Sequence, residues 1–116
     1  MKNSALNFCC LFALGVSLLA DPSNVVLDWN EAMLDAIRAD NSSPTLAPRN
    51  LAILHTAVYD AVNSVLRTHQ PYKYLEPAFV ETSAEAAAVG AAYEVMNDLY
   101  PSLSPLQDDL YQKWLT

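Results

Sequence analysis

Glycine is nearly missing from the chain: Gly15 and Gly90 are the only two. This excludes a glycine-rich phosphate loop and a dinucleotide fingerprint, which need several glycines close together. Cations are also scarce, with six Lys or Arg against 13 Asp or Glu and a formal charge of −7. A nucleic-acid binder needs the opposite balance, because neutralising phosphates takes a surplus of Lys and Arg. The two cysteines, Cys9 and Cys10, are adjacent and early. Histidine occurs twice, at His55 and His69, with Ala52 and Leu66 three residues before them. The Glu-x-x-His pattern of di-metal helical bundles is therefore absent. There is no G-x-S-x-G nucleophile elbow. His55 and Asp60 are no catalytic dyad either, since five residues on a helix separate two side chains by about 140°.

Apolar residues are plentiful. They make up 53% of the 116 positions, too many for a disordered acidic tail. The length suits one domain at most, since domains typically hold about 100–150 residues. Phe8 to Ala20 is an unbroken run of apolar and small residues behind Lys2, followed by Asp21-Pro22-Ser23. A charged start, a short apolar core and a small-residue exit predict a secretory signal peptide over residues 1–20. The run is shorter than the roughly 20 residues of a membrane span, so no stable span is expected. Removing residues 1–20 takes Lys2 and both cysteines and leaves all 13 acids against five cations, a net charge of −8. The exported piece then has no disulfide, thiol nucleophile or thiolate metal site.

Seven prolines divide the chain into windows, and helix interiors reject proline. Each window has helical periodicity. The first runs over Val25–Ala39, with Val26, Trp29, Met33, Ala36 and Ile37 on one stripe and Ser23 as its expected cap. Asp35 and Arg38 are spaced to pair on its polar side. The second runs over Leu46–Arg67, with Leu51, Leu54, Val58, Ala61, Val62 and Val65 on one side and more apolar residues flanking them. Such a helix is central. The third covers Ser83–Tyr100, with a Thr82-x-x-Glu85 capping box and an apolar face at Ala86, Val89, Tyr93, Met96 and Tyr100. The fourth begins at Ser104-Pro105, with Gln107 completing a second box and Leu106, Leu110 and Trp114 facing the core. Tyr72–Val80 is a loop. The predicted architecture is all-α with about four helices.

The polar seam Thr56, Asp60, Asn63 and Arg67 runs along the second helix. On a central helix it must be paired internally or meet further protein, and further protein on that side is the expectation. His55, at the edge of the apolar stripe, is read as a hydrogen-bonded core residue. His69 falls in the following loop and is expected to be exposed. The aromatic residues mostly sit at core spacing. The last helix stops just after Trp114-Leu115, as the N-terminal portion of a larger bundle would.

Residues 25–65 carry a Trp29-Asn30 pair with Ala36-Ile37-Arg38 downstream, then R-N-L-A-x-L-H-x-A-x-Y-D-A-V-N over Arg49–Asn63. The third helix ends in Leu99-Tyr100-Pro101. In these features the chain resembles the N-terminal part of bacterial vanadium-dependent haloperoxidase-like proteins, relatives of the type 2 phosphatidic acid phosphatases. The resemblance implies a helical bundle, a vanadate or phosphate pocket and, with vanadate, halide oxidation by peroxide. It also implies that the oxoanion is held by Lys, two Arg and a Ser-Gly-His segment. The patterns K-x6-R-P, P-S-G-H and S-R-x5-H do not occur here. No catalytic, cofactor-binding or metal residue is therefore assigned. Arg49, Asn50, His55, Tyr59, Asp60 and Asn63 match the family string and are expected to be structural. The expected partners are catalytic helices missing from this sequence, or a second copy. A complete binding module is the alternative, and an acid phosphatase of the same superfamily is a third reading.

Overall fold

The structure is a computed structural model that describes residues 24–116. The signal peptide expected over residues 1–20 and the cap expected at Ser23 lie outside the described residues. Four helices follow in order: α1 (Val25–Asp40), α2 (Leu46–Leu66), α3 (Ala84–Leu99) and α4 (Ser104–Leu115), with a short 3-10 turn at Pro101–Leu103. No strand occurs among the described residues. The fold is all-α, as the periodicity predicts.

Local chemistry sets the helix ends. Asn24 caps α1, its Oδ1 accepting from the N–H groups of Val26 and Leu27. Asn41 closes the helix in the left-handed region, at φ 53°, a conformation that Asn tolerates well. Ser83, not Thr82, caps α3 through Oγ, which accepts from Ala86 N at 3.0 Å. Both cap types are frequent, and the extended backbone at Ser83 decides between them. The box expected at Ser104 is also absent. The cap position is Leu103, and the Ser104 hydroxyl donates to Pro101 O instead.

Helix α2 packs chiefly on α3, α4 packs on α3, and α1 lies against both α2 and α3. The core joins Trp29, Met33 and Ala36 of α1, Leu54 and Val58 of α2, and Ala88, Val89, Ala92 and Met96 of α3 with Tyr100. Ala88 and Ala92 bring α3 close to its neighbours, because they add little bulk between backbones. Helix α4 is rotated from its predicted phase. Leu106 is exposed, while Gln107 is buried and Leu110, Tyr111 and Trp114 pack against the core. Gln107 enters because its Nε2 donates to the carbonyls of Met96 and Tyr100 at the end of α3. These carbonyls also accept from the N–H groups of Tyr100 and Leu103, so Gln107 adds a second hydrogen bond to each at the end of α3. At the other end of α4, Lys113 Nζ and Trp114 Nε1 both donate to Asp28 Oδ2. Arg38 pairs with Asp35 at 2.6 Å, as its spacing predicts, and with Glu31 at 3.2 Å.

A buried network fixes the α1–α2 connection to the end of α3. Tyr100 Oη accepts from Asn50 Nδ2 at 2.8 Å and lies 3.0 Å from Ser42 Oγ. Tyr100→Phe strands the buried Asn50 amide without its acceptor. The expected loss is about 1–3 kcal/mol, read by chemical denaturation, and an unchanged midpoint refutes the network's role.

Candidate functional site

The polar side of α2 is covered by this chain's own loop. After Arg67, which ends α2 at φ 53°, the chain doubles back along the helix. The Asp60 carboxylate accepts from three successive backbone N–H groups: Tyr72 at 2.7 Å, Lys73 at 2.8 Å and Tyr74 at 2.8 Å. The Tyr74 N–H, helped by those of Tyr72 and Lys73 and opposed by desolvation, holds the Asp60 carboxyl below its ordinary range. Asn63 grips the loop with both ends of its amide. It donates to His69 O at 2.8 Å and accepts from His69 N at 3.0 Å. Tyr59 Oη donates to Gln70 O.

Asp60 and Asn63 of the seam are therefore paired within the chain. Sequence reasoning missed the loop residues Tyr72, Lys73 and Tyr74. They act through backbone N–H groups, which every non-proline residue has, so their identity carries no signal. Only Asp60 itself, a carboxylate on a central helix, hints that donors must converge on it. Thr56 bonds back to Ala52 O of its own helix, and the Arg67 side chain is exposed.

The other matched residues bridge the helices. His55 is exposed and not part of the core, but its Nε2 lies 2.9 Å from Asn30 Oδ1 on α1. Asn50 is buried and bonded to Tyr100, and Arg49 Nη1 reaches Asn50 Oδ1 at 3.4 Å. His69 is exposed, as expected, and meets Tyr59 edge-on. Three tyrosines depart from core spacing: Tyr59, Tyr72 and Tyr74 are exposed.

Beside the clamp lies an open groove of about 990 Å³ on the outer side of α2, lined by Arg49, Ala52, Ile53, Thr56, Ala57, Asp60, Ala61, Ser64 and Tyr72–Tyr74. Its two cations, Arg49 in the first turn of α2 and Lys73 beside Asp60 about three turns further on, do not converge on one vanadate or phosphate. An oxoanion needs several converging cations and N–H groups. The nest formed by the N–H groups of residues 72–74 is already filled by Asp60. Arg38 and Lys113 are engaged in ion pairs elsewhere. No group of three or more potential metal ligands occurs among the described residues, and none of their helices is long and apolar enough to cross a membrane. Comparison with models of protein families, with curated proteins and with solved structures gave no match to this chain.

Proposed function

We propose that residues 21–116 are the helical scaffold of an exported vanadium-dependent haloperoxidase-like protein. The oxoanion-binding residues would come from helices outside this sequence, and the whole protein would use peroxide to oxidise a halide. One observation carries the reading: the segments that bear the resemblance are those that fasten the helices together. Trp29 is in the core, and its neighbour Asn30 meets His55 of the R-N-L-A-x-L-H string. Asn50 of that string meets Tyr100 of the Leu-Tyr-Pro segment. Asp60 and Asn63 of the same string hold the loop that leads to α3. A string used in this way is a structural signature, consistent with chemistry located elsewhere.

The open groove on α2 favours a second reading, an exported non-catalytic binding module. An acid phosphatase would share the scaffold and differ in residues outside this sequence.

Bromide oxidation by the purified chain, supplied with vanadate and peroxide, tests the proposal. No turnover is expected from residues 21–116, and the native protein is expected to have a clearly larger intact mass. Vanadate-dependent turnover by this chain alone overturns the scaffold reading. A native mass equal to that of residues 21–116 replaces it with the binding module.

A further inference from the structure

We propose that the outer groove of α2 docks an acidic amphipathic helix of a partner protein. One side of α2 faces the core through Leu54 and Val58. The adjacent flank, about 100° round the helix, presents the half-buried Ile53 and Ala57, with Tyr72 and Tyr74 along one wall. These tyrosines are 76% and 54% exposed, and large aromatic side chains of this kind commonly anchor protein interfaces. From Arg49 to Ser64 the groove follows α2 for about 22 Å, at 1.5 Å per residue. That length matches about four turns of a helix. Helices of this size bind grooves through residues at i, i+3, i+4 and i+7.

Charge selects the occupant. The chain is strongly acidic, yet the groove is lined by two cations, Arg49 and Lys73, and one carboxylate, Asp60. The Asp60 charge is engaged by three backbone N–H groups. Among the described residues, Arg38 and Lys113 are ion-paired, whereas Arg49, Lys73 and Arg67 have no carboxylate within 4.0 Å. Arg49 stands in the first turn of α2, and Lys73 is attached beside Asp60, three turns further on. A second copy seated antiparallel on the same groove would bring Arg49 toward the other copy's Lys73. Like charges in that position oppose pairing. A helix with an apolar stripe and acidic residues near both ends meets both cations and covers Ile53 and Ala57.

This inference does not rest on the family reading: vanadate turnover tests the family, and peptide binding tests the groove. The full chain is titrated with a 15-residue helical peptide that has leucines on one stripe and glutamates at both ends. A matched peptide with lysines in place of the glutamates and vesicles of phosphatidylglycerol are the comparisons. The acidic peptide is expected to bind at least about tenfold more tightly than the basic one, and Arg49→Glu and Lys73→Glu each to weaken it by about fivefold or more. Ala57→Trp, which fills the groove, is expected to abolish binding. Arg49→Gln and Lys73→Gln keep the test readable if a charge reversal disturbs folding, which a circular-dichroism melt reports. Equal binding of the two peptides, binding of neither, binding to vesicles alone, or a dimer that excludes the peptide overturns the proposal.

Discussion

Trp29→Ala is expected to be the most damaging single substitution in the core. Trp29 is 1% exposed and lies with Met33 and Ala36 on the buried stripe of α1. Truncating a buried aromatic side chain loses its transfer free energy and leaves a cavity, at about 3–5 kcal/mol. For a domain of this size that corresponds to a fall in melting temperature of roughly 12–40 °C. It is also a large share of the whole stability, since native proteins have only about 5–15 kcal/mol to lose. Trp29→Phe separates packing from hydrogen bonding. The indole Nε1 is buried and has no hydrogen-bond partner, so phenylalanine gives up volume but no bond. Its expected cost is smaller, about 1–2 kcal/mol. Thermal melts of both variants check the account. A Trp29→Ala melt within about 5 °C of the parent refutes the assignment of Trp29 as a core anchor. Equal losses in the two variants would point to a polar role for the indole.

The helices were legible because their signals are local. Proline positions and a 3.6-residue period place α1, α2 and α3 to within about one residue at each end. What failed was decided by geometry or by contacts distant in sequence. Thr82 and Ser83 are both capping residues, and only the backbone angles choose Ser83. Gln107 looks like a surface residue until the carbonyls of Met96 and Tyr100 are placed beside it. His55 was expected in the core, but its partner Asn30 is 25 residues away on another helix. The seam on α2 was visible as polar and in need of partners. That its partners are the following loop was not visible, because backbone donors leave no trace in residue type. The groove follows from the path of the same loop, and was hidden for the same reason.

Asp60→Asn is expected to release residues 68–82 while leaving the helices folded. A carboxylate can accept all three N–H groups that converge on it. Asparagine has one accepting oxygen, and its amide N–H₂ would face donors instead of acceptors. Amide exchange at Tyr72, Lys73 and Tyr74 is therefore expected to rise by about tenfold or more, with new proteolytic cuts confined to the loop. Acid should reproduce the effect in the parent protein. Asp60's folded pKa lies below its unfolded value, so its contribution is complete above the ordinary carboxylate range. The contribution is lost as pH falls through the folded value. The exchange difference between parent and variant should be constant near neutrality and close only as pH falls below the ordinary carboxylate range. A loop equally protected in both proteins at neutral pH would mean that Asp60 does not hold it. A difference that persists unchanged at the acid end would mean that its ionised form is not what the three N–H groups bind. The wall of the groove stands on the same contact, because Tyr72 and Tyr74 are held against α2 through those N–H groups. The variant should therefore also lose affinity for an acidic helix, although Arg49 and Lys73 are unchanged in it.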